Sequence, residues 1–85
     1  MAKVEVYSSA FCPFCVRAKK LLTSKGVDFE EIDVMQQPER RKEMERRAHG
    51  GRTVPQIFID NEHVGGCDEL MALERKGALD VMLGA

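Results

Sequence analysis

The chain has 85 residues, 44% of them hydrophobic and 32% charged, with a formal net charge of −1. That size suits one small domain over residues 1–85 with one core, and the balance is that of a globular chain rather than a disordered one. Interleaved charges of both signs give no field for nucleic acid or a membrane surface, and no apolar run is long enough to span a bilayer.

The first element is "KVEVY", Lys3 to Tyr7, whose alternation and valines predict a strand. Pro13 fits the first turn of a helix, where its missing N–H costs nothing. Phe14, Ala18, Leu21 and Leu22 then fall on one helical stripe that Gly26 ends. Asp28 to Val34, "DFEEIDV", reads as a second strand. Pro38 opens a second helix, "PERRKEMERRAH", which Gly50-Gly51 closes. Its mixed charges read as a solvated face with pairs such as Glu43–Arg47 at i, i+4.

"VPQIFID" predicts an apolar strand, and Asp60-Asn61 turns it into "EHVGG" as a hairpin. Asp68 stands where an N-cap would, ahead of "ELMALERK", and Gly77 ends that helix. A last short turn, "ALDVML", brings Leu79, Met82 and Leu83 to the core. The order is β-α-β-α-β-β-α. The first two strands need a helical crossover, so they are expected to be parallel and joined right-handedly. With the hairpin added, this is an α/β chain of thioredoxin-like architecture: a mixed four-stranded sheet with helices on both faces.

Chemistry concentrates at Cys12-Pro13-Phe14-Cys15. Cys12 falls at the start of the first helix, where unpaired N–H groups and the positive end of the dipole favour thiolate over thiol. Cys15 lies one turn on, on the face of Ala18 and Leu22, and is expected to be buried. The pair is thus asymmetric: Cys12 attacks, and Cys15 resolves the mixed disulfide. A zinc site is the rival reading, with Cys67 and His49 or His63 completing it, but such sites usually use two close pairs and Cys67 has no partner cysteine nearby. A structural disulfide closing so short a loop removes little unfolded-state entropy. The opening "MAKVEVYSS" has no signal-peptide pattern, so the expected compartment is the reducing cytoplasm. His49 and His63 fall in no motif.

Three stretches, "CPFC" at 12–15, "TVPQIFID" at 53–60 and "GGCDEL" at 65–70, resemble the dithiol glutaredoxins in order and spacing over nearly the whole chain. The resemblance implies a glutathione-dependent thiol–disulfide oxidoreductase that reduces protein disulfides and glutathione mixed disulfides. Glutathione would be the cosubstrate, with no tightly bound cofactor and no metal, and the protein a monomer. It implies a cis peptide bond before Pro55, with Thr53 and the Val54 backbone meeting the cysteine portion of glutathione. Gly66, Cys67, Asp68 and Glu69 would bring a helix N-terminus to the glutamyl carboxylate, with Asp68 the better side-chain ligand because Glu69 replaces a usual second Asp. Phe14 would form an aromatic lid where many relatives carry Tyr. Arg41 or Lys42 would face the glycine carboxylate. Ser9 departs from the family, which usually has Lys there, and some anion affinity is expected to be lost.

Two other functions fit parts of the pattern. One is a thioredoxin-like redoxin regenerated by a flavoprotein reductase. The other is a carrier of a glutathione-ligated iron–sulfur cluster, for which Pro13 is unfavourable in the family.

Overall fold

Strand β1 (Val4–Ser8) lies between a parallel partner, β2 (Glu30–Asp33), and an antiparallel one, β3 (Gln56–Ile59). β4 (Glu62–Gly65) pairs antiparallel with β3, so the sheet order is β2-β1-β3-β4 in the computed structural model, which describes residues 2–84. Helices α1 (Pro13–Ser24), α2 (Glu39–Arg47), α3 (Cys67–Lys76) and α4 (Ala78–Leu83) complete the chain. The expected thioredoxin-like arrangement is the one observed. The final short turn is itself a helix, whose Leu79 and Leu83 are buried.

All five residues of β1 are buried, as a strand covered on both faces requires. Val4 and Val6 join Ile57 and Ile59 beneath Ala18 and Leu22 of α1, Leu70 of α3, and Leu79 and Leu83 of α4. Tyr7, Ile32, Val34 and Phe58 form a second cluster with Met44 and Ala48. On α1 the buried stripe is Cys15, Ala18 and Leu22. Phe14, placed on that stripe by its spacing, is instead half-exposed. The stripe begins one residue later because Cys15 takes the inward position.

Helix α2 has one buried residue, Met44. Polar bonds hold it instead. The Arg47 guanidinium reaches the carboxylate of Glu5 at 2.8 and 3.1 Å and donates to the Tyr7 hydroxyl at 2.8 Å. Its Cζ lies 4.1 Å over the Phe58 ring. The Tyr7 hydroxyl donates to Glu43, which also accepts from Arg40 at 2.9 Å. The anticipated Glu43–Arg47 pair is therefore replaced: Arg47 turns inward because the buried carboxylate of Glu5 needs a counter-charge more than the partly exposed carboxylate of Glu43 does. Arg47 holds the Glu5 carboxyl below its usual range, and Arg40, then Tyr7, do the same for Glu43.

The hairpin turn at Asp60-Asn61 has φ of 51° and 68°. Two left-handed residues in succession are what a tight hairpin demands.

Candidate active site

Cys12 is the N-cap of α1, with extended backbone (φ −108°, ψ 103°), and Pro13 is the first helical residue. Its Sγ takes the place usually filled by a capping oxygen, accepting the Cys15 N–H at 3.1 Å. The same sulfur lies 3.7 Å from the Val54 carbonyl, to which the thiol donates. Cys15 is buried, and burial first, then its hydrogen bond with Cys12, pushes its thiol up to about 12. One sulfur thus sits partly exposed against the Cys15 N–H while the other is held as a buried thiol.

A cleft of about 300 Å³ opens beside this helix start. Phe14 lines one side, and Thr53, Val54 and Pro55 another. The Val54–Pro55 bond is cis. The start of α3, Gly66 through Glu69, supplies the rest. Eight of the residues expected at the site come together there, and Cys12 meets its edge through Val54. Arg41 stands apart from the lining. It donates to the Arg52 carbonyl at 2.9 Å and so braces the backbone just before Thr53. Cys67 is buried, and burial raises its thiol.

The N-cap of α3 is Gly66, not Asp68. The Glu69 carboxylate reaches back to accept the Gly66 N–H at 2.7 Å, the acidic half of a capping box. Gly65 makes room for this. Its φ is +118°, and a Cβ there would stand 2.8 Å from the Glu69 side chain. Gly66 is nearly as tight, since its Cβ would meet the Pro55 carbonyl at 3.3 Å. Asp68, freed from capping, is exposed in the first turn beside the cleft.

Two features lie outside the sequence motifs. Phe11 has left-handed backbone (φ 61°) and a fully exposed ring immediately before Cys12, a conformation that residue propensity argues against. Gln56 connects Thr53 to His63 by side-chain hydrogen bonds; the cue, in hindsight, was a polar residue inside an otherwise apolar strand. Among the described residues, no group of three or more His, Cys, Asp or Glu side chains is placed to hold a metal, and no helix is long and apolar enough to cross a membrane.

A helix-capping thiol, a buried partner one turn later and a cis-proline loop on a four-stranded mixed sheet define a thiol–disulfide oxidoreductase of the thioredoxin fold. Comparison narrows this. Residues 4–64 match the family model for glutaredoxin. Over 85 residues the chain is 56% identical to a glutaredoxin of Pseudomonas aeruginosa, covering all of both proteins. It is 53% identical over 83 residues to glutaredoxin 3 of Escherichia coli, covering 98% of this chain and 99% of that one. The crystal structure of a buckwheat glutaredoxin–glutathione complex matches at a TM-score of 0.89 and 34% identity, covering 98% of this chain and 77% of the other. The chain belongs to the glutaredoxin family, and is with it a glutathione-dependent thiol–disulfide oxidoreductase.

Proposed function

We propose that the cleft holds glutathione and that Cys12 is the attacking sulfur for substrates presented there. With a glutathionylated protein, the Cys12 thiolate attacks the glutathione sulfur, the protein thiolate leaves, and Cys12 carries the glutathionyl group. A second glutathione thiolate then attacks that sulfur, giving glutathione disulfide and free Cys12. With a protein disulfide, Cys12 forms a mixed disulfide, Cys15 attacks the Cys12 sulfur, and the reduced protein departs. Two glutathiones return the resulting Cys12–Cys15 disulfide to the dithiol. The observation that carries this reading is the Cys15 N–H on the Cys12 sulfur at 3.1 Å, beside a Cys15 thiol kept out of solvent. Because burial disfavours the Cys15 thiolate, a Cys12–glutathione disulfide persists long enough for a second glutathione to take it.

The ligand contacts follow from what lines the cleft. The Val54 backbone pairs with the cysteine portion as a short strand would, beside Thr53 and Pro55. The N–H groups of Cys67 and Asp68 meet the glutamyl carboxylate, with Gly66 allowing close approach and the Asp68 carboxylate facing the amine. Glu69 acts through the cap on Gly66. Phe14 covers the ligand, and Arg41 or Lys42, both on α2, answers the glycine carboxylate. Ser9 contributes no charge, which weakens binding by about 1 kcal/mol or less. The partners are glutathione and disulfide-bearing or glutathionylated proteins. The protein works as a single-domain monomer in the reducing cytoplasm.

The test is Cys15→Ser assayed on two substrates. Deglutathionylation of a glutathionylated peptide is expected to persist while reduction of a protein disulfide collapses. Near-complete loss of both rates would defeat this division of labour.

A further inference from the structure

Gln56, the first residue of β3, is 5% exposed although it is polar. Its side-chain Nε2 lies 3.0 Å from the Thr53 carbonyl and 3.4 Å from the Thr53 hydroxyl. Its Oε1 lies 2.6 Å from Nε2 of His63 on β4. The orientation of every group in this line can be deduced. A backbone carbonyl only accepts, so the Gln56 NH2 must face Thr53 and the amide oxygen must face His63. An amide oxygen also only accepts, so His63 carries a proton on Nε2. Donation therefore runs one way, from His63 to Gln56 to Thr53.

Both side chains are tightly seated. The His63 ring packs on Phe58 at 5.1 Å between centroids and lies 5.9 Å from the His49 ring. A Cβ on Gly51 would stand 3.0 Å from the Gln56 Nε2, so the loop wraps closely around the amide. The backbone at residues 52 and 53 is tied to the rest of the protein by two side chains, Arg41 on the Arg52 carbonyl and Gln56 on Thr53.

We propose that Gln56 and His63 are positioning residues for the cleft, holding Thr53 and, through it, Val54 and Pro55 where the loop meets the ligand. This rests on the reading that glutathione occupies that cleft. Cys12 is set chiefly by the start of α1, so the line from His63 governs how well substrate is held rather than how fast sulfur is attacked.

Steady-state kinetics on a glutathionylated peptide test it. Gln56→Glu keeps the size and still accepts from His63, but turns a carboxylate oxygen toward the Thr53 carbonyl. His63→Leu removes the donor, and His63→Gln retains one. Gln56→Glu and His63→Leu are expected to raise KM about fivefold, the factor a hydrogen bond of about 1 kcal/mol carries, with kcat within twofold. His63→Gln is expected to stay within twofold in KM. An unchanged KM in the two impaired variants, or a fall in kcat with KM unchanged, overturns the proposal while leaving the glutathione reading intact. If the unmodified protein itself fails to saturate, that reading falls and this one with it. Should Gln56→Glu not fold, the contrast between the two His63 variants decides.

Discussion

On one face of the sheet, Val4, Val6, Ile57 and Ile59 meet leucines of α1, α3 and α4. On the other, α2 brings Met44 and is fixed by Arg47 on Glu5 and Glu43 on Tyr7. The apolar face needs only shape and area, because hydrophobic burial has no direction and no dependence on pH. The polar face needs specific partners at specific places, and its groups titrate. The site is divided between them. Cys15 belongs to the apolar stripe of α1, whereas the Thr53 loop hangs from Gln56 and His63, beside Phe58 of the second cluster. The reactive sulfur chemistry is thus mounted on the face that resists pH, and the loop on the face that depends on hydrogen bonds.

That contrast can be broken from either side. Leu22→Ala should cost the most, about 3 kcal/mol of unfolding free energy, because it opens a cavity among buried leucines. Chemical denaturation should find the same loss at pH 5 and pH 8. Arg47→Ala should cost about 2 kcal/mol at neutral pH, since it removes the charge-assisted hydrogen bonds on the Glu5 carboxylate from a guanidinium that is itself partly exposed.

Acid should then separate the two variants. Glu5 and Glu43 are held below their ordinary value of 4.5, so the unfolded chain takes up protons first as pH falls. Their stabilisation is complete above that ordinary value and drains away as pH drops through the lowered ones. Denaturation midpoints measured from pH 6 downward should fall steeply for the unmodified protein and Leu22→Ala, and less steeply for Arg47→Ala. Parallel slopes would remove the distinction between the faces. The smallest effect is expected from Tyr7→Phe, about 1 kcal/mol, because Glu43 keeps Arg40 and Arg47 keeps Glu5.

Much of the fold was legible because its signals are local. Cys12-Pro13 marks a helix start by the chemistry of the first turn, and Asp60-Asn61 marks a hairpin by tolerance of left-handed backbone. The alternation in β1 and the stripe on α1 follow from the periods of strand and helix. The errors have one kind of cause. Periodicity puts Phe14 on a stripe it does not join, and residue type puts Asp68 at a cap that Glu69 serves from the third helical position. Both positions were decided by contacts that neither periodicity nor residue type carries: Cys15 takes the inward place on α1, and the Glu69 carboxylate reaches back to the Gly66 N–H.

The chain by itself determined the element order, the helix-capping thiol and the asymmetry between Cys12 and Cys15, since each depends on neighbours within a turn or two. Only the tertiary structure decided that Arg47 serves Glu5, 42 residues away, and that His63 reaches Thr53 through Gln56. Hydrogen bonds are short and directional, so their partners are chosen by sheet register and helix placement. No spacing along the chain encodes those distances until the strands have paired.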